Sequence, residues 1–386
     1  MAQLPEYLLR GLGPLISTVR LPAIRECAER IAISDVEVLS SYNWVNPARP
    51  ATIMVPGGPR VLRSPIRAVQ LEKMETPGEV DPHLTRLPQG AVLQPLFQAV
   101  EVLRPECRFD NVDLLTSRVV LMRLLKFCAL GTGSFRLSAS VIRNSLVLHI
   151  STRAEAELEN DGIGTAVGAG YGFSFEEAVT SYPKGLEDSH SHWRILRYNL
   201  GPLKCVLHYE ADATTEPYDG GSGQLPVVIP APDDLSATVL LRGHLTPQEK
   251  TLEVKSTGNT HIWKVSQLAS KIWAGCTGHL LLGRHLDGQL QHVTMRNMRQ
   301  ESVKWCDLGR TQAGLDRLPR LISELKHTVR AAPSRQAMLI FHEWPRLQVE
   351  VYDARHREPL VSPRMAEKFW GRRPKGAKPG TNSGQS

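Results

Sequence analysis

Two short segments limit the folds open to this chain. In residues 203–212, LKCVLHYEAD, and in residues 252–255, LEVK, apolar and charged side chains alternate. Successive side chains of a strand point to opposite faces, so a period of two marks a strand with one face turned to a core. Leu207, Tyr209 and Ala211 share one face of the first segment, and Glu210 and Asp212 the other. In the second, Leu252 and Val254 face a core while Glu253 and Lys255 share the opposite side. If the two strands are neighbours, three carboxylates and an ammonium converge. Such a cluster is costly unless its charge is neutralised. A divalent cation does so directly, and oxygen ligands suit Mg²⁺ or Mn²⁺. A metal lowers the pKa of a bound water and neutralises a leaving oxygen, which is the logic of phosphodiester hydrolysis. The plain alternative is two strands that each carry charges on a solvated face.

Composition narrows the setting. With 386 residues, 41% hydrophobic and 22% charged, the chain has enough apolar material for one large domain or two ordinary ones. No run of about 18 apolar residues exists, so no membrane-spanning helix is expected. Glu6, Pro5 and Pro14 argue against a signal peptide, and the acids among Arg10, Arg20, Arg25 and Arg30 argue against a presequence. The six cysteines are widely spaced without a CxxC pair, which fits a reducing compartment without disulfides and argues against a zinc finger. The formal net charge is +7, and most of it lies after position 363, so a groove for nucleic acid must be local.

The periodicity predicts short helical pieces over residues 1–32, including a helix over 23–32, then a strand over 36–46 and a turn at Pro56-Gly57-Gly58-Pro59. A helix is expected over 114–127, and a hairpin joins 135–141 to 146–150. Residues 172–180 read as the first turns of a helix. Residues 214–234, rich in Pro, Gly and acids, read as a mobile insertion between strands. Strands at 236–242 and 251–256 precede a helix over 262–273. A hairpin turns at Asp287-Gly288, and an amphipathic helix covers 315–329. With neither a repeat nor a linker, the expectation is one α/β (α+β) domain over residues 1–363, a mixed sheet flanked by helices, followed by a disordered basic tail over 364–386.

The order of these features resembles the PD-(D/E)XK nuclease class and, more specifically, the DXO family of decapping exoribonucleases in its divergent fungal form. That family's pattern is an arginine motif, a glycine–hydrophobic–x–hydrophobic–glutamate segment, ExD, ExK, and a helix with a glutamine. Here VDLLTSRVVLMRLLKF supplies Arg118, GFSFE supplies Gly172, Phe173, Phe175 and Glu176, YEADA supplies Glu210 and Asp212, and LEVKST supplies Glu253 and Lys255. A SYNW segment, residues 41–44, belongs to the same likeness, which runs from about residue 33 to 352. The glutamine position falls near Lys271, with Gln267 one helical turn earlier.

The resemblance implies that Glu176, Glu210, Asp212 and Glu253 bind one or two Mg²⁺ or Mn²⁺ ions, and that Lys255 positions the attacking water. It implies that Arg118 grips the 5′ phosphate region, with Gln267 or Lys271 touching substrate. The activity it implies is hydrolysis at RNA 5′ ends, in the nucleus or cytoplasm: removal of incomplete or nonstandard caps, pyrophosphate release, and 5′→3′ degradation. The alternative is a catalytically weak or inactive relative that binds RNA or partners a larger 5′→3′ exoribonuclease. Other signals carry less. Residues 162–168, GIGTAVG, lack the apolar strand that a dinucleotide loop requires. His190 and His192 have no cysteine beside them for a zinc site, and Trp193, Trp263, Trp273 and Trp305 read as packing residues.

Overall fold

The computed structural model describes the chain except residues 1–5, 10, 26–28, 47–49, 65, 67–68, 75–92, 151–169, 220–224, 259–264, 355–359 and 372–386, and only the backbone of 6–7 and 265–267. In chain order the strands are β1 (Leu12–Arg20), β2 (Ile33–Val45), β3 (Thr52–Gly57), β4 (Arg60–Leu62), β5 (Leu114–Ser117), β6 (Phe135–Ile142), β7 (Ser145–His149), β8 (Thr180–Ser181), β9 (Ser189–Leu200), β10 (Leu203–Glu210), β11 (Ala213–Thr214), β12 (Val227–Ile229), β13 (Thr238–Gly243), β14 (Thr251–Gly258), β15 (His279–Leu286), β16 (Gln289–Asn297), β17 (Gln336–His342) and β18 (Gln348–Ala354). The helices are α1 (Glu6–Leu9), α2 (Gln94–Leu103), α3 (Arg118–Leu130), α4 (Gly172–Val179), α5 (Val265–Ala274), α6 (Arg299–Cys306), α7 (Gly309–Ala331) and α8 (Pro363–Trp370).

Two mixed sheets form the frame. The larger has twelve strands in the order β1-β18-β17-β6-β7-β5-β10-β9-β2-β3-β13-β12, and the smaller has six in the order β16-β15-β14-β11-β4-β8. The larger sheet is covered on both faces. Leu114, Cys205 and Leu207 pack with Leu124 and Phe127 of α3 and Leu318 and Leu325 of α7. Their neighbours Leu115 and Val206 point the other way, against Phe97 of α2 and Phe369 of α8. This is the two-sided burial that turns central strands into near-continuous apolar runs. In the smaller sheet Leu252, Val254 and Leu281 pack against Phe175 and Val179 of α4.

The single α+β domain expected from sequence is what the chain forms, and several element boundaries differ from the sequence reading. The chain is strand, not helix, over Leu12–Arg20, where β1 pairs with β18, and the described residues between Leu21 and Ala32 are not helical. The helix expected over 114–127 begins only at Arg118. Leu114–Ser117 is a strand parallel to both β10 and β7, and the Ser117 hydroxyl accepts from the Val120 N–H to cap α3. The insertion over 214–234 is not all loop, since β11 opens it and β12 pairs with β13 at the sheet edge. The tail expected from Arg364 does not start there. Pro363–Trp370 is a helix capped by Ser362, with Phe369 4.8 Å from Phe109 between ring centroids and Trp370 Nε1 donating to Ser145 Oγ at 2.8 Å. Residues 152–169 and 372–386, read as a glycine-rich loop and a basic end, lie outside the described residues. No helix among the described residues is long and apolar enough to cross a membrane.

Candidate active site

The chain passes from one sheet to the other at the ExD segment. Glu210 ends β10 in the larger sheet, Ala213 opens β11 in the smaller, and Asp212 lies in the joint between them. Pairing then brings the remaining groups to this joint. Ala213 is opposite Leu252 of antiparallel β14, which puts Asp212 beside Glu253. β5 runs parallel to β10 with Ser117 level with His208, so Arg118 emerges at the same end of the sheet as Glu210. β14 and β15 are parallel neighbours and α5 is the crossover between them, which carries Lys271 over β14. Phe175, fully buried, anchors α4 on the small sheet and holds the half-buried Glu176 at the joint.

The geometry separates these groups into two parts. Asp212 is fixed by backbone, with Val254 N–H donating to Oδ2 at 2.8 Å, and Lys255 Nζ lies 3.4 Å from the same oxygen. Glu253, whose side chain is 1% exposed, is ringed by cations. Lys255 Nζ is 2.8 Å from Oε1, Lys271 Nζ is bonded to that same oxygen, and Arg118 Nη1 is 3.5 Å from Oε2. Burial alone would push the Glu253 carboxyl up, but Lys255, Lys271 and Arg118 together hold it well below the usual carboxylate range. Glu176 is the opposite case. Burial, then Asp212 and Glu210, push it up to about 8, against the weaker pull of Lys255 and Arg60. Burial draws Lys255 downward, but Asp212 and Glu253 keep it above the ordinary lysine range. Burial draws Lys271 below that range against the pull of Glu253.

Magnitudes decide what this cluster is for. Unit charges 3.5 Å apart attract by roughly 5 kcal/mol at an effective dielectric of about 20, while removing each ion from water costs several kcal/mol. The cluster therefore adds little net stability, and charged groups held this way mark a functional site more readily than a structural one.

The donor chemistry around Glu176, Glu210 and Asp212 fits a hard divalent cation. All the side-chain donors are oxygens, and Glu176 is raised first by burial and then by Asp212 and Glu210. Among the described residues, no group of three or more His, Cys, Asp or Glu side chains is placed so that it could hold a metal ion. Glu253 is one reason, since its oxygens face ammonium and guanidinium groups.

Two residues expected at substrate have partners within the protein. Arg118 is 4% exposed, donates from Nη2 to the Glu210 carbonyl at 3.1 Å, and places its guanidinium carbon 4.4 Å from the Tyr209 ring centroid. Lys271, expected at substrate, is bonded to Glu253 instead. Gln267 lies on α5, and its side chain is outside the described residues.

The sequence reading missed Arg60. β4 pairs with β11 so that Arg60 is opposite Ala213, one residue from Asp212. Its guanidinium lies 4.9 Å from the Tyr182 ring centroid and 3.7 Å from Glu177. The signal lay in the arginine just after the Pro56–Pro59 turn, but only the pairing of β4 with β11 brings it to the joint.

Comparison with known proteins follows the same architecture. No curated protein matches the sequence. Scheffersomyces stipitis Rai1, solved in complex with (3′-NADP)⁺ and calcium ion, is 14% identical with a TM-score of 0.58, covering 91% of this chain and 99% of that one. Candida albicans Rai1, solved with pU5-Mn²⁺, is 13% identical with a TM-score of 0.57, covering 91% and 98%. K. lactis Dxo1, solved with manganese, is 11% identical with a TM-score of 0.52, covering 88% and 98%. At this identity the likeness is one of fold, and the fold is that of the Rai1 and Dxo1 proteins. Residues 16–370 match the family described as "Domain of unknown function (DUF8563)", and over that span the chain belongs to this family.

Proposed function

We propose that this chain hydrolyses phosphate linkages at RNA 5′ ends with the help of Mg²⁺ or Mn²⁺. The observation that carries the reading is the meeting of Asp212, Glu253 and Lys255 at the end of β10, where the chain passes from one sheet to the other. It is supported by the fold shared with proteins solved with pU5-Mn²⁺ and with (3′-NADP)⁺ and calcium. The three carboxylates would hold the cation, which when bound supplies an activated water and charge neutralisation at the leaving oxygen. Asp212, pinned by the Val254 N–H, keeps its carboxylate in register with the end of β10. Lys255, 29% exposed and fixed by Asp212, Glu253 and the Val254 carbonyl, presents a positioned ammonium to a water or phosphate oxygen. Arg60 is the guanidinium placed to meet a 5′ phosphate. The substrates implied are triphosphate ends, incomplete caps and nonstandard caps, with 5′→3′ degradation as a further activity. RNA ends of this kind put the protein in the nucleus or cytoplasm.

One observation favours a second reading, a relative that binds RNA, or a larger exoribonuclease, without turnover. Glu253 is already neutralised by three cations, which leaves fewer free carboxylates for a metal. One assay separates the two. The purified chain is incubated with 5′-triphosphate, unmethylated-cap and NAD-capped RNAs in Mn²⁺ or Mg²⁺, alongside Asp212→Ala and Glu176→Gln. Turnover by the wild type alone is the expected result. Binding without turnover by all three overturns the enzyme reading, and equal cleavage by all three indicates a contaminant.

A further inference from the structure

We propose that Gln248 is a positioning residue of the candidate site: it ties the C-terminal end of α5 to the larger sheet, and through that helix end it holds Lys271 and Arg118 on Glu253. For its effect on turnover this inference rests on the hydrolase reading above.

Gln248 opens a single helical turn, Gln248–Lys250, that leads directly into β14. Its buried amide is bonded at both ends. Oε1 accepts from Arg194 Nε at 3.0 Å, and Nε2 donates to the Tyr209 hydroxyl at 2.7 Å and to the Gly275 carbonyl at 2.7 Å. A guanidinium only donates, so the amide oxygen must face it and the amide nitrogen must face Tyr209 and Gly275. Arg194 and Tyr209 are opposite residues of β9 and β10 in the larger sheet. Gly275 follows the last residue of α5, the crossover between β14 and β15 of the smaller sheet. One side chain therefore bridges the two sheets. The last carbonyls of a helix lack partners within it, and side chains of the larger sheet supply them here. Tyr209 donates to the Gly275 carbonyl at 3.0 Å and Tyr198 to the Ala274 carbonyl at 3.2 Å. The turn after α5 is nested on the same segment, since a Cβ on Gly278 would strike the Glu249 carbonyl.

The clamp reaches the site through its neighbours. Lys271 is one helical turn before Gly275, whose N–H donates to the Lys271 carbonyl at 3.1 Å, and the Lys271 ammonium is bonded to Glu253. Arg118 lies over the Tyr209 ring and against Gly275, where a Cβ would stand 3.1 Å from Nη1. Glu253 in turn holds Lys255 at 2.8 Å. Without Gln248 the end of α5 loosens from the larger sheet, and the three cations on Glu253 lose their common setting. Arg194 supplies the rival role. It is fully buried, and among the described residues no carboxylate forms an ion pair with it; Gln248 and the Thr246 carbonyl accept from it instead. In the rival role Gln248 serves that guanidinium alone.

Two variants keep the volume at position 248 and separate the roles. Gln248→Met removes every bond. Gln248→Glu keeps an acceptor for Arg194 and gives it a counter-charge, but a carboxylate cannot donate to Gly275. Hydrogen exchange of the full-length proteins is followed by mass spectrometry over residues 270–278 and over β17, with thermal melting as the check on folding. Turnover of 5′-triphosphate RNA is measured with Mn²⁺. Both variants are expected to exchange about tenfold faster over 270–278, with β17 unchanged. Both are expected to lose about tenfold in kcat with KM nearly constant. Wild-type exchange or wild-type turnover in Gln248→Glu assigns Gln248 to Arg194 alone and overturns the inference. An equal rise in β17 marks a general loss of stability and overturns it too. Faster exchange over 270–278 in both variants of a chain whose wild type shows no turnover keeps the clamp and removes the hydrolase reading.

Discussion

Gly283 of β15 leaves the space that the Phe175 ring fills. A Cβ built on Gly283 would stand 2.3 Å from one ring carbon and 2.4 Å from another. A fully buried ring has no flexible end to swing away, so the helix α4 must move if Gly283 gains a side chain. Since α4 carries Glu176, Gly283→Ala is expected to lower stability by about 1–3 kcal/mol and to reduce activity more than that loss of folded protein explains. Urea unfolding together with turnover at a temperature where both proteins are folded checks this. An unchanged rate would detach α4 from the chemistry.

Removing Arg118 tests its role as a brace. Arg118→Ala leaves Glu253 buried with two cations instead of three, bares the Glu210 carbonyl, and strips the Tyr209 face. A loss of about 3 kcal/mol is expected, in the range for breaking a buried ion pair from one side. Arg118→Lys restores the charge without the planar group that stacks on Tyr209, so it should recover roughly half. If Arg118→Ala melts like the wild type but binds RNA weakly, the arginine faces substrate and the bracing role is wrong.

Much of this site was legible because period-two alternation survives tertiary folding. Strand alternation singled out Glu210, Asp212, Glu253 and Lys255, and the pairing of Ala213 with Leu252 sets Asp212 beside Glu253. What was not legible depends on contacts between distant segments. The run Leu114-Leu115-Thr116-Ser117-Arg118-Val119-Val120-Leu121 has no glycine or proline to separate strand from helix, and a central strand buried on both faces lacks alternation. The boundary at Ser117 therefore merged into the helix. In residues 12–20 the β-branched run Ile16-Ser17-Thr18-Val19 favours a strand, but its partner β18 lies more than 300 residues on. The passage from one sheet to the other at Asp212, the arrival of Arg60, and the reach of Lys271 to Glu253 each require knowing which strand or helix lies alongside. No local pattern records that.

Asp316 predicts an acid limb in the stability curve. Its side chain, 1% exposed on α7, is held by Arg25 Nε at 2.6 Å, by the Arg25 N–H at 3.2 Å, and by Arg320. Burial raises its pKa, but the Arg25 hydrogen bonds and Arg320 outweigh burial and hold it below the ordinary aspartate value. A carboxyl depressed in the folded state stabilises the fold above its unfolded pKa, and that contribution fades as pH falls through the folded value. The loss should therefore appear below about pH 4. Asp316→Asn is expected to cost about 2 kcal/mol near neutrality and to show a shallower decline between about pH 4 and 2. Melting temperatures across that range check the sign. A variant whose curve runs parallel to the wild type would show that Asp316 does not link folding to protonation.

Arg60 gives the most direct test of where a 5′ end sits. It is opposite Ala213 beside Asp212, with a side chain 18% exposed and a tyrosine face under its guanidinium. Its ion pair with Glu177, at 3.7 Å, is long and Glu177 is half-exposed, so a pair of this kind holds it weakly. A phosphate oxygen competes well for such a group through charge-assisted, two-pronged hydrogen bonds. Arg60→Ala is expected to weaken binding of 5′-phosphorylated RNA about tenfold, and to lower the dependence of log affinity on log salt by about one ion. RNA with a 5′ hydroxyl should bind both proteins alike. Arg60→Lys should regain the salt dependence but not the full affinity, because a point charge lacks the planar fork. Equal loss on phosphorylated and hydroxyl ends would place Arg60 on the RNA backbone, away from the terminal phosphate.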